Sequence, residues 1–376
     1  MRIMIIAGEA SGDQHSARLV EAVHALDPSI TFFGIGGEAM RQAGVDTLVD
    51  SSEMAVVGLV EIWAHRKVIF GALDKMREIL KNDPPDLLFL TDYPEFNLRL
   101  AKTAKQQGVK VLFYISPQIW AWRQWRVKKI RKLVDMMAVI FPFELDFYQQ
   151  HHVPVRFVGH PLAEEVHASA ERDSLCAEFG LDSTRPVVGL FPGSRQSEVK
   201  RLMPIIIETA KQLQQQKPGI QFLLPVASTL SPDIFNLYLD ADTPPITRLE
   251  NRSYDVMAAC DAIVTVSGTV TLEIALIGTP MVIINRISAL SYFIAKQLVR
   301  VDHIGLCNIV AGKRVVPELI QYEARPEKIS REIMNMLEQP DYTQSIKKEL
   351  NKVRAKLSSE GEVTDLAELT LSLIRQ

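Results

Sequence analysis

Four short loops hold most of the residue types in this sequence that can do chemistry. The most reactive is Thr91-Asp92-Tyr93-Pro94-Glu95-Phe96-Asn97, which follows the apolar run 86–90. A carboxylate at the end of a strand, beside an aromatic ring and a proline that exclude water, has the setting of a general base with a raised pKa. Asp92 is therefore the candidate base. The competing reading is that Asp92 or Glu95 caps the helix that begins at Phe96. A second loop, Gly8-Glu9-Ala10-Ser11-Gly12-Asp13, also joins a strand to a helix. Its glycines permit a tight turn with amides facing a ligand, but two carboxylates would repel a pyrophosphate, so the loop suits a sugar or an alcohol. A helix cap by Ser11 or Asp13 is the alternative, and Glu9 is the nearest rival of Asp92 as base.

Two loops in the second half suit an anion. In Pro192-Gly193-Ser194-Arg195 the glycine lets a phosphate approach the backbone, Ser194 can donate or cap, and Arg195 can bind a phosphate through two N–H groups. In Ser267-Gly268-Thr269-Val270-Thr271-Leu272-Glu273 the first helical amides can hold a diphosphate, and Glu273, one turn in, can accept from ribose hydroxyls. Singly, each loop is equally well a capped helix; two of them on one sheet point to a nucleoside diphosphate.

Two other stretches are unusual. Residues 119–132 contain Trp120, Trp122 and Trp125 among six basic side chains. Such interleaving suits single-stranded nucleic acid, an anionic membrane or a phosphorylated acceptor, and equally a solvated basic helix with a tryptophan anchor. Residues 54–63, with Val56, Val57 and Leu59, are too apolar for an ordinary surface loop and read either as core or as a lipid contact. No metal is expected: the eight histidines form no H-E-x-x-H, and Asp240-Ala241-Asp242 reads as a solvated helix end.

The elements that position these loops are visible as short apolar runs at 2–7, 30–34, 86–90, 110–115, 136–141 and 155–158, alternating with helix-length segments. Strands without polar alternation are buried on both faces, and their alternation with helices makes a parallel α/β sheet. After a polar stretch the pattern restarts at 187–191, 221–225, 261–266 and 280–284. Two Rossmann-like domains are expected, facing a shared cleft at the carboxyl ends of their strands, with a helix-rich C-terminus. The expected bounds are 1–163, 164–345, and 346–376 as helices packing back on the first domain.

Composition agrees. The 376 residues are 47% hydrophobic and 23% charged, enough for two buried cores, and the net charge of −3 argues against a bulk nucleic-acid binder. Cys176, Cys260 and Cys307 are unpaired in spacing and read as reduced thiols of a cytoplasmic protein. No run is long and apolar enough to span a bilayer, and Gly8-Glu9 ends the first apolar run too early for a secretory signal.

Several of these segments together resemble one family. The run 7–13, the segment Tyr114-Ile115-Ser116-Pro117-Gln118-Ile119-Trp120-Ala121-Trp122-Arg123, the loop 192–195 and the helix start 268–273 are similar to those of the lipid-A-disaccharide synthases. The resemblance spans nearly the whole chain, and the tryptophan segment is its most specific part. It implies a GT-B glycosyltransferase that joins UDP-2,3-diacylglucosamine to 2,3-diacylglucosamine 1-phosphate and releases UDP, forming the β-1',6 linkage. By the same resemblance the first domain takes the acceptor and the second the UDP-sugar. Asp92 and Glu9 would be catalytic. Gly193, Ser194, Arg195, Gly268, Thr269, Glu273 and Asn308 would bind the donor. Ser11, Asn97, Ser116, Trp120, Trp122, Arg123, Val56, Val57 and Leu59 would meet the acceptor or its lipid. No cofactor, metal or nucleic acid is expected; the expected partner surface is the inner face of the cytoplasmic membrane, held peripherally, and a homodimer is left open. Rival classes are a nucleotide-sugar epimerase or hydrolase of the same fold, and a noncatalytic membrane or nucleic-acid binding protein.

Overall fold

The computed structural model describes residues 1–54, 59–288, 302–358 and 365–375, with the backbone alone for 59–66. The chain divides into two compact units, Met1–Pro161 with Ser359–Gln376, and Leu162–Ser358.

In the first unit seven parallel strands are β1 (Arg2–Ala7), β2 (Thr31–Gly36), β3 (Asp46–Asp50), β4 (Leu87–Thr91), β5 (Lys110–Tyr114), β6 (Met136–Val139) and β7 (Val155–Phe157). Their order is β3-β2-β1-β4-β5-β6-β7. The order reverses between β1 and β4, and an open α/β sheet leaves a crevice for a ligand at such a reversal. Ala7 pairs with Thr91 there, so Gly8 and Asp92 leave the sheet side by side. The two strands are locked by complete burial of Ile3, Met4, Ile5 and Ile6 against Leu87, Leu88, Phe89 and Leu90. Each such side chain contributes roughly 1.5–3 kcal/mol by leaving water.

The second unit repeats the plan with β8 (Val187–Phe191), β9 (Gln221–Val226), β10 (Ile246–Glu250), β11 (Ala262–Val266), β12 (Met281–Asn285) and β13 (Glu318–Ile320). Its order is β10-β9-β8-β11-β12-β13, all parallel. The reversal lies between β8 and β11, where Phe191 pairs with Thr265. The loops 192–195 and 267–273 thus emerge together.

Two features differ from the sequence reading. Strands β3, β10 and β13 lie at or toward sheet edges and are only partly buried, so they lack the continuous apolar run that marks the interior strands. The C-terminal helices do not act as one block. Helix Pro340–Leu357 buries Ile346, Leu350, Val353 and Leu357 within the second unit, where Lys356 Nζ donates to the Val310 and Ala311 carbonyls at 3.2 Å. Only helix Leu366–Arg375 joins the first unit, through Lys110 Nζ to Leu373 O at 3.0 Å and Arg375 to Asp27 at 3.4 Å.

Candidate active site

Asp92 and Tyr93 both adopt φ of 45°, a left-handed backbone that side chains seldom take and that recurs where a site requires it. Asn97 holds them there. It is fully buried, and its Nδ2 donates to Asp92 O at 2.6 Å and Thr91 O at 3.2 Å. The Asn97 backbone N–H reaches Tyr93 O at 3.1 Å, and Asp92 N–H reaches Tyr114 O of β5 at 3.1 Å. Expected as an acceptor contact, Asn97 instead lies inside and shapes the loop that presents Asp92. Helix Pro94–Gln106 has no side-chain cap, and Glu95 is drawn off to Arg126 at 2.7 Å, so the cap reading of Asp92 and Glu95 is not what the fold uses. Burial, and next the Glu9 carboxylate, push the Asp92 carboxyl above its ordinary range. The same two causes raise the Tyr93 phenol.

Across the strand pair, Glu9 is the exposed residue before helix Ala10–Leu26 and makes no capping bond, so its carboxylate stays available. Ser11 is exposed beside it. Asp13 turns inward: its carboxylate accepts the amides of Gly37 at 2.5 Å, Ala39 at 3.0 Å and Met40 at 3.3 Å. It caps the neighbouring helix Glu38–Gln42 rather than its own.

In the second unit Phe191, Gly193, Ser194, Arg195, Gly268, Thr269, Val270 and Glu273 line one cavity of about 370 Å³. Gly193 is left-handed at φ 109°, and a side chain there would strike the Glu198 carboxylate. That carboxylate accepts the Ser194 amide at 3.2 Å and the Arg195 amide at 3.3 Å and pairs with the Arg195 guanidinium at 3.1 Å. The Ser194 amide is therefore already engaged; the charged group left to the loop is the Arg195 side chain, 78% exposed. Beside Gly268 the space is open, with no atom within 4 Å of where a side chain would start, so a ligand can lie against its backbone. Glu273 is largely buried, and burial, then Glu165, raises its carboxyl. The arrangement combines an exposed cation, a bare backbone and a helix start, which together suit a diphosphate.

The sequence matches the lipid-A-disaccharide synthetase family over residues 3–370. It is 58% identical over 375 residues to the lipid-A-disaccharide synthase of Trichlorobacter lovleyi, covering 100% of this chain and 98% of that one. It is 51% identical over 372 residues to the synthase of Nitrosococcus oceani, covering 99% and 96%. The chain belongs to the lipid-A-disaccharide synthase family. Among solved structures, UDP-GlcNAc 2-epimerase from Neisseria meningitidis, bound to UDP-GlcNAc, superposes with a TM-score of 0.63 at 13% identity over 100% of both chains. The glycotransferase of kitacinnamycin gives 0.64 at 14% identity over 99% of this chain and 98% of that one. These likenesses show the fold alone, two α/β domains each built on a parallel sheet. As a lipid-A-disaccharide synthase the protein is a glycosyltransferase that forms the lipid A disaccharide.

Not every residue expected to touch a substrate of the synthase is placed to do so. Asn308 is fully buried: Nδ2 donates to Val316 O at 3.0 Å and Glu318 Oε1 at 2.8 Å, and Oδ1 accepts the Val315 and Val316 amides at 2.8 and 3.1 Å. It fastens the 315–318 segment and does not line the cavity, because its polar atoms are already used within the protein. Ser116 and Trp120 are also buried, both bonded to Glu144, whereas Trp122 and Arg123 are exposed with the guanidinium 4.0 Å above the indole. Val56 and Val57 lie outside the described residues, as does the side chain of Leu59; Met54 belongs to the core of the first unit. Among the described residues no group of three His, Cys, Asp or Glu could hold a metal ion. Glu144, which holds Ser116 and Trp120, escaped the sequence reading. The available signal was a polar residue just past a largely buried strand, at Pro142-Phe143-Glu144 after β6.

Proposed function

We propose that this synthase joins UDP-2,3-diacylglucosamine to 2,3-diacylglucosamine 1-phosphate in a single inverting displacement, with Asp92 as general base. The acceptor 6-hydroxyl gives its proton to Asp92 while its oxygen bonds to the donor anomeric carbon. The anomeric carbon's bond to the diphosphate oxygen breaks, and UDP leaves with the electron pair. Glu9 orients the acceptor, and its charge helps Asp92 hold the proton it receives. Arg195, the backbone at Gly193, Gly268 and Thr269, and Ser194 carry the diphosphate, whose growing charge fixed dipoles and the guanidinium stabilise. Glu273 accepts from the ribose. The observation that carries this reading is the pairing of Ala7 with Thr91, which sets Gly8-Glu9 and Asp92 at one sheet reversal with the Asp92 carboxyl raised. Incubation with both diacylated sugars is expected to yield one disaccharide 1-phosphate, identified by mass, per UDP. UDP released from the donor alone would instead make the chain a hydrolase.

The acyl chains of both substrates lead to a second element of the proposal, peripheral attachment at the inner face of the cytoplasmic membrane. Supporting it are the exposed Trp125 at 71% and Trp122 at 40%, in the stretch that also carries the exposed Arg123, Lys128 and Lys129, and the exposed Phe70 at 47%, in the same helix as Lys67. Among the described residues no helix is long and apolar enough to cross a membrane. Sedimentation with anionic vesicles should weaken with salt, because exposed charges are screened over about 8 Å at physiological ionic strength. It should weaken further when Val57 and Leu59 become serine; unchanged sedimentation would remove that stretch from the contact.

A further inference from the structure

Helix Pro142–Gln150 begins where β6 ends, and Glu144 in its first turn is 2% exposed. Its two oxygens do different work. Oε2 accepts the Phe141 amide at 3.2 Å, an ordinary cap of the helix start. Oε1 accepts the Ser116 hydroxyl at 2.5 Å and Trp120 Nε1–H at 3.2 Å, from a segment 28 and 24 residues earlier. Among the described residues no Lys, Arg or His offsets its charge: burial pushes the carboxyl up to about 7, and what draws it back down is hydrogen bonding, first from Ser116. A cap alone does not call for a buried carboxylate, and packed apolar residues are generally as stabilising as a buried charge. What an apolar side chain cannot do is take two donors from the 115–123 segment at one point.

That segment is bounded by left-handed residues, Ile115 at φ 59° and Arg123 at φ 55°. An isoleucine in that region is costly and must be held by its surroundings. Its inner half is Ser116 and Trp120, the latter edge-on to Phe143 at 4.7 Å; its outer half is the Trp122–Arg123 stack. Fixing the inner half fixes where the stack stands.

We propose that Glu144 is a positioning residue for the acceptor: by holding Ser116 and Trp120 it sets Trp122 and Arg123 where a phosphorylated, acylated sugar is recognised. This rests on the reading that the acceptor meets this segment. Glu144→Gln tests it with little change of volume. A glutamine has one acceptor oxygen and one donor amide, so it cannot accept from both Phe141 N–H and Trp120 Nε1–H, whichever way it turns.

The experiment measures KM for donor and for acceptor, with thermal midpoints, in Glu144→Gln, Arg123→Ala and Trp120→Phe. Leaving a buried donor without its acceptor should raise the Glu144→Gln acceptor KM by about fivefold or more while the donor KM stays put. Arg123→Ala should raise the acceptor KM as well. If Arg123→Ala does so and Glu144→Gln does not, the positioning role is overturned and the acceptor reading stands. If neither variant moves the acceptor KM, the acceptor reading fails and takes the inference with it. If Glu144→Gln lowers the thermal midpoint and all activity together, Trp120→Phe decides, since it removes one donor and leaves the carboxylate. A raised acceptor KM in Trp120→Phe at the wild-type midpoint supports the role, and an unchanged one overturns it.

Discussion

Gly8 and Tyr93 compete for one volume: a methyl on residue 8 would sit 2.6 Å from Tyr93 Cγ. The ring can occupy that space only because residue 8 has no side chain, and Tyr93 follows Asp92 in the left-handed turn. Gly8→Ala should therefore push the ring away and displace Asp92. A forced contact of this kind costs roughly 1–3 kcal/mol of stability, and misplacing a reacting group by about 1 Å can cost on the order of 10²-fold in rate. Thermal unfolding and turnover measured on the same preparation check both effects.

Asp92→Asn removes the proposed proton acceptor while keeping its shape. Turnover should fall by about 10² to 10⁴-fold, the usual contribution of a general base. UDP affinity, measured by calorimetry, should hardly change, because the proposed diphosphate contacts belong to the second unit. Full turnover in this variant with loss in Glu9→Gln would assign the base to Glu9.

The pH profile follows from the two causes that raise Asp92. A base acts only when ionised, so with Asp92 as the proposed base activity should fall with decreasing pH as Asp92 takes up a proton, with a midpoint above the ordinary carboxylate value of 3.8. In Glu9→Gln one negative neighbour is gone, ionising Asp92 becomes easier, and the acid limb of kcat/KM should move to lower pH. Burial, the larger cause, remains, so the limb should stay above the ordinary value. A limb that does not move would uncouple the two residues.

Arg195 projects into solvent with one internal partner, Glu198. If it binds the diphosphate, Arg195→Ala should weaken UDP by roughly 1.5–3 kcal/mol, about 10- to 150-fold in Kd. The fold should be indifferent, because an exposed ion pair contributes at most about 1 kcal/mol. Titration calorimetry with UDP and a melting curve separate the two.

Much of this molecule is written locally. The strands flanking each sheet reversal, β1 with β4 and β8 with β11, are near-continuous apolar runs because they are buried on both faces, and the chemistry-bearing loops are the residues directly after them. Run, loop and helix are adjacent in the chain, so their pattern can be read without knowing what packs where. The edge strands β3, β10 and β13 carry no such run, since one side of an edge strand faces water and its pattern merges with that of a loop. The assignment of partners was likewise out of reach. Asp13 is committed to amides 24 to 27 residues away, Asn97 to the Thr91 and Asp92 carbonyls, Asn308 to the 315–318 segment, and Glu144 to Ser116 and Trp120. A polar residue beside a strand end reads the same whether it faces a substrate or fastens the loop that does. Only strand order and helix packing, which bring distant segments together, decide which it is.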